Sequence, residues 1–330
     1  MTDPEICAAV RQHYGLAVRA VERIDRGSAA LFKLYGSEAA FILKVFQPKF
    51  RADSILREVH VTDFLRQNGI SVSEYIPCRN GDFYFMQNGR IAILQAFIPG
   101  QTREKGCCSK RELLDSARLL AQIVNALEHY PYDDLLPCEI SRYGSAARLL
   151  QAKAACADLM AAAHADAVHG AEICRDLQDR LVMIARVSDA GAFVNTNALT
   201  LKRSHGDYSV MQLLYDGSEI KAVLDFVNAG EVPIAWELIR SYSYMDCTFN
   251  AARLAAYTNE YRRYAEVSMD DLRYMPYLYL DQLLSSTYGY KQYLQTGDEE
   301  LLAFGRWRTE MCRYLIANAG EVSAELVRLA

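Results

Sequence analysis

The sequence lacks any apolar run that approaches the roughly 20 residues of a membrane-spanning helix, and it opens without the charged-then-apolar pattern of a signal peptide. Its lysines and arginines are scattered and its formal net charge is −5, so it offers no basic surface for a nucleic-acid backbone. These absences argue against membrane and nucleic-acid partners, and they predict a cytoplasmic protein.

The nine cysteines include no C-x-x-C pair, which argues against both a disulfide framework and a zinc site. In an Ala-rich stretch, His164 and His169 are five residues apart, a spacing that does not place two side chains on one helix face. We therefore expect free thiols and no metal site in this stretch. With 330 residues, 51% of them hydrophobic, the chain suits two lobes or one large domain, and its oligomeric state stays open.

The order of sequence patterns predicts the fold class. After a first helix that Gly15 ends, β-rich runs dominate as far as Pro99-Gly100, interrupted by a helical pattern at 52–67. From about Ser109 the pattern is helical, and its last two predicted helices run roughly from Met269 to Tyr293 and from Glu300 to Asn318. We expect an α+β fold with two lobes: an N-terminal antiparallel sheet with one helix over residues 1–98, and a mainly helical lobe over 99–330.

One charged residue interrupts an otherwise apolar strand. Lys44 lies in the middle of the run from Phe41 to Phe46, and a buried lysine needs a partner of opposite charge. In the helix that follows, Glu58 adjoins the apolar stripe and can point toward the sheet. The pattern predicts a Lys44–Glu58 ion pair. The alternative is that Lys44 reaches solvent from an edge strand and Glu58 is solvated.

Two later motifs place carboxylates near each other. His205-Gly206-Asp207 is followed after four residues by Gln212, and Leu224-Asp225-Phe226 comes after a predicted hairpin with Asp216-Gly217 at its turn. A hairpin that returns on itself brings Asp225 back near Asp207. Phosphoryl transfer uses this chemistry, since one carboxylate orients the attacking hydroxyl while a second carboxylate and an amide oxygen hold a metal ion.

These motifs, in this order, resemble those of the aminoglycoside phosphotransferase and choline kinase-like family of small-molecule kinases. That family usually has Asn where this chain has Gln212. The resemblance implies a protein kinase-like fold and transfer of the γ-phosphate of ATP to a hydroxyl group of a small molecule. It implies Asp207 as the catalytic residue and Mg²⁺ held by Gln212 and Asp225. It also implies that Lys44, held by Glu58, contacts the phosphates.

Further nucleotide contacts follow from the same resemblance. Gln95, Ala96 and Phe97 occupy the strand whose backbone would meet the adenine, with the Phe97 ring as a further contact. Gly27 and Ser28 lie in the turn that would cover the phosphates. A plainer interpretation stays open for each segment. The first would be a core strand that precedes a loop, and the second an ordinary hairpin turn.

A catalytically weak or inactive regulatory protein of the same fold is the main alternative function. Gln212 and the single glycine of the first turn favour it. The intact set of Lys44, Glu58, Asp207 and Asp225 opposes it, because a chain released from catalysis would have little physical need for all four. The acceptor, a metabolite or an antibiotic, and the choice between ATP and GTP stay open.

Overall fold

A computed structural model describes residues 2–24, 29–189 and 194–329. The chain forms two compact units. The first comprises Met1–Leu136 and Arg203–Glu231, and the second comprises Pro137–Lys202 and Val232–Ala330. The first unit therefore extends past residue 98 and includes both carboxylate motifs; the predicted lobe boundary at that residue stays a prediction.

The N-terminal sheet of the first unit is antiparallel, as the turns of the sequence predict. Its strands follow the order β1-β2-β3-β6-β4, and β5 also pairs with β6. They are β1 (Ala20–Ile24), β2 (Ala30–Tyr35), β3 (Ala40–Val45), β4 (Tyr75–Ile76), β5 (Phe85–Gln87) and β6 (Arg90–Ala96). Strand β3 lies between β2 and β6, so it is not an edge strand.

Alternation along the strands gives this sheet two apolar faces. Leu43, Val45 and Leu94 belong to a buried cluster with residues of helix α1 (Asp3–Tyr14). Ile91 and Ile93 belong to another with residues of helix α2 (Ala52–Gln67). Helices α1 and α2, both predicted from the sequence, therefore pack with the two faces of the sheet.

The rest of the first unit carries the two motifs. Strands β7 (Gln101–Thr102), β9 (Leu213–Asp216) and β10 (Glu219–Val223) form a second sheet in the order β10-β9-β7. The β9–β10 hairpin turns after Asp216, as predicted. Helix α3 (Lys110–Glu128) begins with a capping box in which Ser109 and Glu112 satisfy each other's backbone N–H groups. Strands β8 (Leu201–Ser204) and β11 (Gly230–Pro233), each of which belongs in part to the first unit and in part to the second, form a two-stranded sheet.

The second unit is mainly helical. Its helices are α4 (Ala146–Ala163), α5 (Gly170–Asp189), α6 (Ile234–Met245), α7 (Ala251–Arg262), α8 (Met269–Leu284), α9 (Tyr290–Thr296) and α10 (Glu299–Arg328). Helical periodicity alone predicted one helix from Met269 to Tyr293, which is wrong. The chain breaks before Gly289, whose φ is 102° and where an added Cβ would lie 2.7 Å from the Gly305 backbone. That close approach favours glycine at the break.

The two units confirm the predicted fold class, an α+β architecture with an antiparallel N-terminal sheet and a mostly helical C-terminal part. Among the residues that the structure describes, no helix is both long and apolar enough to span a membrane.

Candidate functional site

The centre of the site is a buried ion pair between β3 and α2. The Nζ atom of Lys44 lies 3.2 Å from Oε1 and 3.4 Å from Oε2 of Glu58. The side chains are 11% and 0% exposed, so neither is solvated in the way that the alternative interpretation required. Period-two alternation explains the direction of Lys44, because its neighbours Leu43 and Val45 point to the α1 face.

A tyrosine that the sequence analysis missed completes the surroundings of Glu58. Tyr75 of β4 donates a hydrogen bond from its hydroxyl to Oε1 of Glu58 at 2.8 Å, and its side chain belongs to the apolar cluster on the α2 face. The carboxylate therefore accepts from both an ammonium and a phenol. In the sequence, Tyr75 is one aromatic residue in a short strand, and no local pattern separates it from a core residue.

Asp225 is the second carboxylate on Lys44. It follows β10, and its Oδ1 lies 2.8 Å from Lys44 Nζ. Burial alone would lower the pKa of the Lys44 ammonium, but the charges of Glu58 and Asp225 more than offset this effect and raise that pKa above its ordinary value. Lys44 is therefore a permanent positive charge at neutral pH. Asp225 is itself 42% exposed, so it remains accessible to a ligand.

The backbone at Asp225 is unusual. Its φ of 67° and ψ of 62° place it in the left-handed region, which Asp and Asn tolerate better than most residues with a side chain. The chain thereby leaves β10 and enters a 3₁₀ turn, Phe226–Asn228. Helix α2 holds this turn as well, because Arg57, the neighbour of Glu58, donates from Nη2 to the Val227 carbonyl at 3.0 Å. Arg57 is another residue that the sequence analysis missed.

The His205-Gly206-Asp207 motif is joined directly to the Asp225 segment. His205 is fully buried, and its Nε2 lies 2.9 Å from the carbonyl of Leu224, while its Nδ1 accepts from the backbone N–H of Asp207 at 3.3 Å. A carbonyl can only accept, so these bonds require the tautomer with hydrogen on Nε2. His205 therefore ties the residue before Asp225 to Asp207.

Gly206 lets the two segments approach each other. Its φ is 75°, and a Cβ added there would lie 2.1 Å from the carbonyl oxygen of Asn228. Any side chain at this position would push the 3₁₀ turn after Asp225 away from Asp207. The glycine of the motif is thus explained by backbone packing as well as by conformation.

Gln212 also lies beside Asp225 through the backbone, because its carbonyl accepts from the N–H of Leu224 at 2.8 Å. Its side-chain Oε1 accepts from the hydroxyl of Ser209. An amide oxygen has two lone pairs, so this bond holds the carboxamide in place and leaves one lone pair for a cation.

In the segment that is predicted to contact the adenine, two backbone N–H groups are already bonded within the protein. The N–H groups of Ala96 and Phe97 donate to the carbonyls of Glu74 and Ala40, at 2.8 and 3.0 Å. The Phe97 ring lies 4.0 Å from Lys33 Nζ, measured to its centroid. These residues therefore have carbonyl groups and a ring to offer a base, rather than N–H groups. Gln95 pairs with Tyr75 and with Ile42 in the sheet.

Gly27 and Ser28 lie outside the described residues, so their predicted contact with phosphates stays a prediction. Within the described ranges, no group of three or more His, Cys, Asp or Glu side chains is placed to hold a metal ion. A carboxylate and an amide nevertheless suit Mg²⁺, which usually takes one or two carboxylates and completes its shell with water and substrate phosphates.

Lys44→Met should lower the free energy of unfolding by about 3 kcal/mol at neutral pH, because it leaves the Glu58 carboxylate buried without its cation. Burial is the largest influence on the pKa of Glu58 and raises it. With Lys44 gone, the folded state therefore binds a proton more tightly than the unfolded state, and stability falls as pH rises through the interval between the two pKa values.

Urea unfolding from pH 5 to 8 measures this effect, with exposed Lys49→Met as the control. The difference in the free energy of unfolding between Lys44→Met and the unaltered protein should grow as pH rises. Adding Glu58→Gln to Lys44→Met should remove much of that difference. An equal difference in the free energy of unfolding at pH 5 and at pH 8 would mean that Glu58 is not the group left unpaired.

Comparison with known proteins gives one family match and several similar solved structures. The profile of a family described as "Phosphotransferase enzyme family" matches residues 20–267, whereas comparison with curated proteins gave no match. Similar solved structures include three small-molecule kinases. A spectinomycin phosphotransferase with ADP and spectinomycin has a TM-score of 0.67 and 12% identity, and the match covers 100% of this chain and 99% of that one. An amicoumacin kinase with AMP-PNP and Ca²⁺ has a TM-score of 0.65 and 13% identity, with 95% of this chain and 94% of that one covered. A microcompartment-associated aminopropanol kinase has a TM-score of 0.64 and 14% identity, with 99% of this chain and 100% of that one covered.

At these identities the solved structures show a shared fold. The family profile goes further, because its match runs over residues 20–267, most of the chain and a range that includes both carboxylate motifs. The chain belongs to the phosphotransferase enzyme family.

Proposed function

We propose that the protein is a kinase that transfers the γ-phosphate of ATP to a hydroxyl group of a small molecule. The observation that carries the proposal is the contact of Lys44 with both Glu58 and Asp225, at 3.2 and 2.8 Å, in a segment that His205 joins to Asp207. A lysine fixed by a helix glutamate and placed beside a carboxylate is the arrangement that phosphoryl transfer from a nucleotide uses.

Lys44 would neutralise charge on the nucleotide phosphates. In the structure its ammonium contacts Asp225, and a phosphate oxygen could replace that carboxylate while Glu58 keeps the lysine in position. Asp225 would then be available to hold a divalent metal ion together with the Gln212 amide oxygen. When bound, the ion supplies charge neutralisation on the phosphate oxygens.

Asp207 would act on the acceptor. Its carboxylate would accept a hydrogen bond from the acceptor hydroxyl, orient the oxygen for attack on the γ-phosphorus and take up the proton as the new P–O bond forms and ADP leaves. Its backbone is fixed by His205, so the carboxylate is presented from a defined position. Adenine would meet the segment from Gln95 to Phe97. Among the described residues, the N–H of Ile98 has no backbone partner, so we add it as the candidate donor to the base.

An assay of ATP consumption against a panel of hydroxyl-bearing metabolites and antibiotics tests the proposal. Asp207→Asn protein, prepared in the same way, controls for contaminating kinases. We expect at least one hydroxyl compound to stimulate ADP formation and to gain a phosphate by ³¹P NMR, in the unaltered protein alone. Stimulation that is equal in the Asp207→Asn preparation would contradict the assignment.

Variants of Gln212 distinguish the proposed kinase from the alternative function, a regulatory protein of the same fold. Its side chain is one methylene longer than the usual Asn, and Mg²⁺ requires near-ideal octahedral geometry. We expect Gln212→Ala to lower turnover and to raise the magnesium concentration that half-maximal activity requires, whereas Gln212→Asn should be tolerated or improve activity. Manganese should partly restore Gln212→Ala. Metal dependence and nucleotide binding that are both unchanged in Gln212→Ala would favour the regulatory protein.

A further inference from the structure

A cleft of about 300 Å³ lies beside α2 in the first unit, and none of the carboxylates of Glu58, Asp207 and Asp225 lines it. Aromatic rings from four segments line it. They belong to Phe64 of α2, Tyr75 of β4, Phe83 before β5 and Tyr132 after α3. Apolar and aromatic residues make up about half of its lining and polar residues the rest, and a concave surface of this size can hold a small molecule.

The charges in the cleft favour one sign of ligand. Asp63 is matched, since its carboxylate accepts from Arg66 Nη2 and from Gln67 Nε2, both at 2.6 Å. Within the described part of the chain, the exposed carboxylate of Glu74 has no hydrogen-bond or ion-pair partner. One uncompensated negative charge beside several aromatic faces is suited to a cation, which the ring quadrupoles also attract.

Residues of the cleft wall are bonded to the nucleotide side of the sheet. The Tyr75 hydroxyl donates to Glu58 at 2.8 Å, so Tyr75 links the cleft directly to the carboxylate that holds Lys44. The Glu74 carbonyl accepts from the N–H of Ala96 at 2.8 Å. A ligand that immobilises Tyr75 and Glu74 would therefore restrict the motion of the Glu58 carboxylate and of the Ala96 backbone.

We propose that this cleft is a regulatory site for a small organic cation, a primary amine with an aromatic or alkyl body, and that its occupancy strengthens nucleotide binding. Glu74 pairs with the ammonium, and Tyr132 and Phe83 cover the apolar body. Tyr75, held against the ligand, stays bonded to Glu58 and keeps the Lys44–Glu58 pair formed. The regulatory half of the proposal rests on the proposed nucleotide site; the binding half does not.

Isothermal titration with 2-phenylethylamine tests the binding half, with 3-phenylpropionate as an anionic probe of similar shape. Neither probe has a hydroxyl group, so neither can act as acceptor. We expect the amine to bind and the acid not to bind. Glu74→Gln should weaken the amine about threefold or more, and Tyr132→Ala about two- to fivefold. Glu38→Gln, which removes an exposed carboxylate of the same unit outside the cleft, should have no effect.

Equal binding of the acid and the amine, no binding of the amine at about 10 mM, or an unchanged affinity in both Glu74→Gln and Tyr132→Ala would overturn the site. The last outcome would place the amine elsewhere, for example in the acceptor pocket.

Nucleotide titrations with and without saturating amine test the regulatory half. We expect the amine to tighten nucleotide binding about fivefold, a typical coupling between two sites. Tyr75→Phe keeps the ring and removes the hydroxyl that bonds Glu58, so it should still bind the amine and lose the coupling. Nucleotide affinity that does not respond to the amine would contradict the regulation. Failure of the proposed nucleotide site would differ, because nucleotide would then not bind in the absence of amine.

Discussion

Asp207→Asn should lower turnover about 10²- to 10⁴-fold, the range expected for loss of a general base, while nucleotide affinity stays within about twofold. Asn keeps the size and shape of the side chain, and the backbone N–H that His205 accepts is unchanged, so the segment should fold as before. What is lost is the carboxylate that orients the acceptor hydroxyl and takes its proton.

Steady-state kinetics on the acceptor found in the panel, together with a nucleotide titration, measure the two quantities. Asp216→Asn is the matched control, since Asp216 is a largely exposed carboxylate of the neighbouring hairpin and its loss should leave turnover unchanged. Turnover in Asp207→Asn within about threefold of the unaltered protein would remove Asp207 from the catalytic step.

Asp225→Asn should weaken magnesium-dependent nucleotide binding at least about tenfold, and turnover should fall with it. The substitution isolates charge, because Asn also tolerates the left-handed backbone that Asp225 adopts at φ 67°. Asp225→Ala would add a backbone strain of about 1–2 kcal/mol. Lys44 keeps Glu58 as its partner in either variant.

Calorimetric titration with ATP, once with magnesium and once with a chelator, separates the effects. The difference in ATP affinity between magnesium and chelator should be large in the unaltered protein and small in Asp225→Asn. Asp207→Asn should keep that difference, because Asp207 is assigned to the acceptor. If both variants lost it to the same extent, the division of roles between the two carboxylates would be wrong.

Short-range sequence patterns were sufficient for much of the site. A single charge in an apolar strand located Lys44, and the apolar stripe of the next helix located Glu58; the structure contains that pair. The Asp216-Gly217 turn located the hairpin that returns Asp225 to the His205-Gly206-Asp207 segment. The resemblance to small-molecule kinases is confirmed by the family profile. The roles of these residues in binding and catalysis stay predictions.

Contacts between residues distant in sequence escaped the same reasoning. Tyr75 donates a hydrogen bond to Glu58 and Arg57 donates one to the Val227 carbonyl, yet neither residue occupies a recognisable pattern. The direct contact of Lys44 with Asp225 joins residues 181 positions apart. Such pairs are set by tertiary packing, which periodicity within one segment does not report.

Boundaries of helices were predicted where local chemistry sets them and missed where tertiary contacts do. Helix α2 spans Ala52–Gln67, as its periodicity predicted. Helix α10 extends to Arg328, well beyond the predicted end near Asn318, because Val322 and Leu326 continue its buried face. The predicted helix through Gly289 fails for the opposite reason, since packing against Gly305 interrupts it.

The most direct test of the central claim is thermal and urea unfolding with and without millimolar ATP and magnesium. If Lys44, Glu58 and Asp225 form a nucleotide–metal site, ATP and magnesium together should raise the free energy of unfolding, by about 2.7 kcal/mol at a hundred times the dissociation constant. Asp225→Asn should remove most of that gain. A folded protein whose unfolding is unchanged by ATP and magnesium at these concentrations would contradict both the kinase and the nucleotide-binding regulatory protein.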